Sequence, residues 1–264
     1  MDIIVCVKQV PGTTEVEIDE KTGTLKRSGI PSKMNPYDLF ALEVALRIKD
    51  NQGANIKVVS MGPPQAIPTL LETYYMGADE AYLLSDRKFA GSDVHATSYA
   101  IAEGIKKAGH FDMIICGKQT TDGDTAQVGP ETAEWLGIEH AANVLTIDSL
   151  SDSSVDISMN IDGAIQSQRM QFPCLLTIEK DAVTPRLPSY RRKRTVKNED
   201  DIVTVITASD IDNLVEDNCG LEGSPTKVER IFPPEKNTDK TMHEGSADQL
   251  SEELFGILKS EKFI

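Results

Sequence analysis

Paired cysteines, positive charge and long apolar runs are all scarce in this sequence of 264 residues, and each scarcity closes a class of function. The four cysteines, Cys6, Cys116, Cys174 and Cys219, lie far apart with no Cys-x-x-Cys spacing. Neither a zinc knuckle nor an iron–sulfur cluster is therefore signalled, and buried, reduced thiols are the default. Lysine and arginine number 27 against 42 aspartates and glutamates, a net charge of −15, which argues against binding a nucleic-acid backbone. No stretch approaches the ~18 apolar residues of a membrane span, and the start, MDIIVCVKQV, turns polar too soon for a secretory signal. A soluble cytoplasmic protein is expected. A Walker loop of the form Gly-x-x-x-x-Gly-Lys-Ser/Thr is missing, as is a Ser-Gly-Gly-x-Asp-Ser pyrophosphatase loop, which weighs against an ATP-using ligase.

What is present is organised around Asp112 to Gly137, DMIICGKQTTDGDTAQVGPETAEWLG. Met113 to Cys116 is an apolar run of the kind buried in parallel sheets, and Gly117 ends it. Lys118 to Val128 is small, hydroxyl-bearing or acidic, and leads into Pro130, Glu131 and a helical pattern closed by Gly137. The first turn of a helix has N–H groups without partners and a partial positive charge, so such a loop can wrap a phosphate or pyrophosphate. Asp122 and Asp124 suit the hydroxyl and amine donors of ribose or adenine, or cap the helix through their own oxygens. An ordinary capped turn has the same pattern.

The rest of the chain reads as one large α/β domain with an appendage. Ile3 to Val7 is a buried first strand with Cys6 near its end, and Val16, Ile18 and Leu25 about Lys21-Thr22-Gly23 suggest a hairpin. Asn35-Pro36-Tyr37-Asp38 opens a helix to about Lys49, with Asn35 as cap and Asp38 in the positive first turn. Ile56 to Ser60 is a second strand, leaving Met61 at its carboxyl end, and Ala81 to Leu84 is a third. A second polar loop, SDRKFAGSD at 85–93, ends at another helix start with Ser92 or Asp93 as cap, and Thr97 to Ala108 continue the helix. Two such loops make a crevice at a topological switch point plausible. From Asn143 the pattern changes to strands, Val144–Ile147, Val155–Ile161 and Ala164–Met170, the last two joined at Asp162-Gly163, and then Leu175–Ile178. Thr184 to Arg194 holds two prolines and five cations. From Ser209 a polar arm leads to an amphipathic helix over Ala247–Lys259, with Leu250, Leu254, Ile257 and Leu258 on one face.

GKQTTDGDTAQVGPETAEWLG closely resembles the nucleotide-binding signature of the beta subunit of electron transfer flavoprotein, and three more stretches support the match in order: VCVKQVPG, MNPYDLFALEVALRIK, and MGPPQA with MGADEAYLLSD. The resemblance covers roughly the first two thirds of the chain and implies a Rossmann-like, mostly parallel sheet with helices on both faces. It implies an α/β cofactor domain over 1–208, a partner-docking loop at 184–197, and an arm with helix over 209–264 that packs on the alpha subunit. SDRKFAGSD resembles the loop of the electron-bifurcating branch, whose beta subunit holds FAD where others hold AMP. Cofactor contacts are then expected from Cys6, Asn35, Asp38 and Met61, from Arg87, Phe89, Ala90, Gly91, Ser92, Asp93 and Thr97, and from Gly117, Gln119, Thr120, Asp122, Gly123, Asp124, Thr125, Gln127 and Val128. In that branch Arg87 would offset charge on a reduced flavin and Phe89 would stack on a ring; read without the resemblance, Arg87 is a solvated cation and Phe89 a core residue. The implied partners are the alpha subunit, a flavin dehydrogenase of acyl-CoA or 2-hydroxy acid type docked at 184–194, and ferredoxin or flavodoxin, with NADH as electron donor; the rivals are a simple electron carrier with AMP in this subunit and a stand-alone adenine-nucleotide-binding module. A leucine anchor is usual in the docking loop, whereas Tyr190 stands near that place here with a basic flank, which sets an acyl-CoA dehydrogenase partner in question.

Overall fold

The computed structural model describes residues 1–12, 32–229 and 240–264. The hairpin expected about Lys21 to Gly23 lies outside the described residues. Two compact units are formed, Met1–Glu229 and Arg230–Ile264. No helix is long and apolar enough among the described residues to cross a membrane.

The first unit is built on a nine-stranded sheet. Its strands are β1 (Asp2–Cys6), β4 (Asn55–Met61), β5 (Glu80–Leu84), β6 (Met113–Gly117), β7 (Glu139–Leu150), β8 (Ser154–Ile161), β9 (Ala164–Gln171), β10 (Cys174–Ile178) and β11 (Val203–Ile206). They lie in the order β11-β5-β4-β1-β6-β10-β7-β8-β9, with β2 (Gln9–Pro11) and β3 (Ser32–Met34) forming a separate antiparallel pair. Pairing is parallel from β11 through β7 and antiparallel from β7 to β9. The expected α/β fold with a mostly parallel sheet is thus the observed one. Strands buried on both faces read as continuous apolar runs, as MIIC and CLLTI do, whereas the outlying β9 is exposed along nearly its whole length. Asp162 and Gly163 turn β8 into β9 with φ of 47° and 82°, the paired positive values a tight hairpin requires.

Alternation along β1 and β6 divides the core. Ile3, Val5, Met113 and Ile115 face one layer, with α1 (Pro36–Gln52) and α2 (Ile67–Met76), while Ile4, Cys6, Ile114 and Cys116 face the other, with α3 (Val94–Ala108) and α4 (Val128–Leu136). The chain runs from β1 outward to β4 and β5 and then returns to place β6 on the other side of β1. That reversal is a topological switch point, where the carboxyl ends of two neighbouring strands send their loops apart and leave a crevice.

Residues after β11 stay with this unit because they are tied to the loop that follows β5. Asp86 accepts from Ala208 N (3.1 Å), Lys88 pairs with Glu216, Asp93 accepts from Thr226 N (2.9 Å), and Ser224 Oγ accepts from Asp93 N (2.9 Å). In the second unit α6 (Ala247–Ser260) begins with a reciprocal Ser246–Gln249 capping box and exposes Leu254, Phe255 and Ile257. Of the apolar face expected from sequence, Leu254 and Ile257 are exposed and Leu250 and Leu258 half-buried.

Candidate functional site

Cys6 and Gly117 end β1 and β6, and the loops above them are joined by a buried polar network. Asp38, only 5% exposed, accepts from Lys8 N at 2.7 Å through Oδ2 and from Asn35 Nδ2 at 2.9 Å through Oδ1. Asn35 is fully buried: its Nδ2 also donates to Gln119 O at 2.9 Å, its Oδ1 accepts from Thr121 N at 3.2 Å, and its own N–H donates to Lys8 O at 2.8 Å. The expected cap therefore has another job. Asn35 occupies the cap position of α1 but makes no side-chain cap bond, because its amide stitches the loop after β1 to the loop after β6. Burial pushes the Asp38 carboxyl up to about 7, while Asn35, Lys8 and Gly117 pull the other way. Every partner is a donor, so the ionised form satisfies the network and the protonated form leaves one donor facing an O–H.

Gly117 is where these parts meet. A Cβ there would fall 2.4 Å from Asp38 Oδ1 and 2.7 Å from the carbonyl carbon of Tyr37, so no side chain fits between β6 and the start of α1. Gly129, at the start of α4, is similarly closed, its Cβ position lying 2.8 Å from Thr177 Cγ2. Gly123 is open, meeting only Thr120 Oγ1 at 3.2 Å.

The loop 118–127 is half-buried through Thr120, exposed from Thr121 onward, and folded on itself. Gly123 N donates to Thr120 Oγ1 at 3.3 Å, Asp124 N to Thr120 O at 3.0 Å, and Gln119 Nε2 to Asp124 Oδ1. Asp122 pairs with Lys8 Nζ at 2.7 and 2.9 Å; burial works against its charge, but Lys8 holds its carboxyl below the usual range. Neither aspartate caps α4. Gln127 is its cap residue without a side-chain cap bond, and among the described residues the N–H groups of Thr125 to Gly129 donate to no acceptor. Asp124 and Ala126 have φ of 54° and 55°, conformations that turn successive N–H groups towards a common concavity. An open helix start with such a run fits an anion, while the close approach at Gly117 seats the start of α1 against β6 beneath it.

The second loop lies beside the first because α3 and α4 pack together: Tyr99 and His95 contact Trp135 with ring centroids 5.0 and 5.2 Å apart, and Ser98 Oγ donates to Glu131 at 3.2 Å. Its helix start is closed, unlike that of α4. Asp93 accepts from Ala96 N at 3.1 Å as cap, and Ser92 Oγ donates to Phe89 O at 2.8 Å. Phe89 is 4% exposed and packs with Ile4, Leu84 and Tyr99, so its ring fills the core instead of the crevice. Arg87, Ala90 and Gly91 are exposed, and among the described residues the Arg87 guanidinium meets no carboxylate. Gly91 has φ of 78°. Met61 ends β4, half-buried, and Thr97 lies in the first turn of α3. Val128 is half-buried against the α3/α4 core, and Cys6 lies under the loop, half-buried.

Lys8, Thr121, Ala126 and Gly129 were not singled out by sequence pattern. Lys8 sits within VCVKQVPG, but nothing local says that its amide meets a residue thirty positions on. At the opposite end of β1 and β6, Asp2, His110 and Asp112 bring ligand-type atoms within 4.8 Å of one another, with Asp112 accepting from Asp2 N and Asp2 from Asn55.

The cationic segment 184–194 divides in two. Arg186 is held by the buried Glu43 (Nε to Oε2 2.8 Å) and by Asp50 (2.8 Å). Arg192, in α5 (Tyr190–Thr195), donates to Ala78 O at 2.6 Å and stacks 4.3 Å over the Tyr74 ring, and Lys193 lies 5.9 Å from the Tyr75 ring. Those anchors leave Leu187 88% exposed and Tyr190 74% exposed, with Arg191 and Arg194 beside them. Leu187 as well as Tyr190 thus presents an apolar side chain outward.

Comparison with known proteins gives a consistent result. The family model described as electron transfer flavoprotein domain matches residues 22–204. The chain is 45% identical, over the whole of both chains, to the electron transfer flavoprotein subunit beta of Clostridium acetobutylicum. It is 41% identical, again over both full lengths, to caffeyl-CoA reductase-Etf complex subunit CarD of Acetobacterium woodii. It is 40% identical to protein FixA of Azorhizobium caulinodans over 97% of this chain and 94% of that one.

Proposed function

Because the chain belongs to the electron transfer flavoprotein family, among its beta subunits, we propose that it binds an adenine-containing cofactor at the β1/β6 switch point and pairs with an alpha subunit to carry electrons. The observation that carries this reading is the open start of α4, where among the described residues the N–H groups of Thr125 to Gly129 meet no acceptor and Gly129 lies close over Cys116 near the end of β6. In this reading Thr125 to Gly129 hold the phosphate through backbone N–H groups. Asp38 and Asn35 fix the loop from below, while Gln119, Thr120, Asp122 and Asp124 form the rim that meets ribose and adenine.

The finer reading is FAD, with the complex dividing the two electrons of NADH between ferredoxin or flavodoxin and the alpha-subunit FAD that serves a partner flavin dehydrogenase. FAD, when bound, supplies both two-electron and one-electron chemistry. In this reading the chain's residues bind and orient it, and the guanidinium of Arg87, which meets no carboxylate among the described residues and is exposed like Ala90 and Gly91, would offer a cation to the isoalloxazine pyrimidine edge. The partner would dock at Leu187, Tyr190, Arg191 and Arg194, and a relative named as part of a caffeyl-CoA reductase complex supports a partner acting on a CoA thioester.

AMP as a structural ligand is a second reading with its own support. Asp93 already caps α3 and Phe89 points into the core, so the second loop keeps fewer groups free than its sequence promises. Nucleotide extraction from the purified heterodimer separates the two: two FAD per heterodimer sustains bifurcation, and one FAD with one AMP sustains the simple carrier. A complex with no adenine nucleotide beyond the alpha-subunit flavin overturns both.

A further inference from the structure

We propose that Cys6 and Cys116 form a dithiol modification site at the floor of the nucleotide crevice, which exchanges with a small-molecule disulfide and closes into a Cys6–Cys116 cystine. They are register partners on adjacent parallel strands. Neighbouring strands lie about 4.8 Å apart, and a cystine spans Cα separations of about 4.4–6.8 Å. Both side chains point into the same layer, with Ile4 and Ile114 beside them, while the intervening residues face the other. Cys6 is half-buried at the strand mouth, and Cys116 is 8% exposed beneath the start of α4, where the Cβ position of Gly129 is 3.8 Å from its own.

The two thiols divide the work unequally. The neighbouring Cys6 thiol, burial and the charge of Asp38 hold the Cys116 proton on well above the ordinary thiol range, while Cys6 is the half-buried sulfur at the strand mouth. Cys6 is therefore the attacking sulfur and Cys116 the resolving one. The Cys6 thiolate attacks one sulfur of the disulfide RSSR, forming a mixed disulfide and releasing RS⁻, which takes up a proton. Cys116 then gives its proton to solvent and attacks Cys6 Sγ, forming the cystine and expelling the second RS⁻. Two protein thiols are oxidised, one RSSR is reduced to two RSH, and no other redox partner is needed. Cys174 packs in the other layer opposite Met113, and Cys219 lies outside the sheet with its thiol on Val215 O, so neither is a register partner of Cys6 or Cys116.

Closure would draw the two Cβ atoms to about 3.8 Å and twist the ends of β1 and β6, from which Lys8 and Gly117 lead into the Asp38 network. Nucleotide held above that network opposes the twist, so ligand and oxidation are linked. This coupling rests on the nucleotide reading above; the cystine itself rests on the register alone.

The experiment uses the heterodimer, stripped of nucleotide or resupplied with AMP, incubated anaerobically with oxidised glutathione and digested with trypsin without reduction. Peptides 1–8 and 108–118 should appear joined, and at least about fivefold more slowly with AMP present. Cys116→Ser should trap Cys6 as its glutathione adduct, and Cys6→Ser should leave Cys116 unmodified. Cys6 stopping at the mixed disulfide in the unmodified chain, or Cys174 and Cys219 reacting first, overturns the proposal. Equal rates in a chain shown by extraction to hold AMP overturn the coupling. Crosslinking in a chain that takes up no nucleotide supports the dithiol and overturns the functional reading instead.

Discussion

Gly117→Ala is the most discriminating single change in the structure. The added methyl carbon would lie 2.4 Å from Asp38 Oδ1, 2.7 Å from the Tyr37 carbonyl carbon and 2.8 Å from Tyr37 Cβ. Contacts of that length are not relieved by a rotamer change, since the carbonyl carbon is backbone and Asp38 is held by Lys8 N and Asn35 Nδ2. The start of α1 must move off β6. Overpacking of this kind costs about 1–3 kcal/mol, and weakening one hydrogen bond to a charged group adds about 1.5–3 kcal/mol. A loss of roughly 2.5–6 kcal/mol corresponds to a fall in Tm of roughly 5–24 °C for a unit of this size. Gly123→Ala is the internal control: its methyl carbon meets the tip of Thr120 at 3.2 Å, and the expected change is within about 0.5 kcal/mol. The assay is denaturant unfolding of both variants together with extracted nucleotide per heterodimer. Gly117→Ala should lose both stability and nucleotide, and Gly123→Ala should keep most of each. Equal behaviour of the two variants would falsify the close approach between β6 and α1 as the organising contact of the site.

Other consequences follow from the charges. Asp38 is raised from 3.8 to about 7, so its contribution to stability is fully present below about pH 4 and lost as pH rises through about 7. Unfolding free energy should therefore fall by about 2–4 kcal/mol between about pH 5 and pH 8 from this group, and a matched decline in Asp38→Asn would remove Asp38 as its source. Arg191→Glu with Arg194→Glu should slow electron delivery to an acidic dehydrogenase, more at low salt than at high, without changing flavin content; salt-independent rates identical to the parent would exclude the role. Arg192→Glu should instead destabilise the fold by about 2 kcal/mol or more, because it removes the bond to Ala78 O and the stacking on Tyr74. Arg87→Ala should make a second flavin harder to reduce in anaerobic NADH titration while sparing the alpha-subunit flavin. One flavin with one AMP in the unmodified heterodimer ends that line of reasoning.

Much of this protein was set by local sequence. The strand, glycine and helix of 113–137 are legible because an apolar run, a polar loop and a closing Gly137 constrain backbone conformation within a few residues. Pro36 at the start of α1, Asp93 as cap of α3 and the Asp162-Gly163 turn are likewise local choices of φ and ψ. What only the tertiary structure decided depends on which segments become neighbours. Asn35 looks like a cap until a partner 84 residues away accepts its amide, and Gly117 differs from Gly123 because α1 crosses one and solvent faces the other. Phe89 turns inward because α3 and the residues after β11 close around its loop, and the five cations of 184–194 separate into anchors and free charges because Glu43, Ala78 and Tyr74 lie beneath them. Periodicity reports the conformation of a residue and the side it faces. The partner on that side is set by sheet order, which here places β1 against β6 across more than a hundred residues of chain.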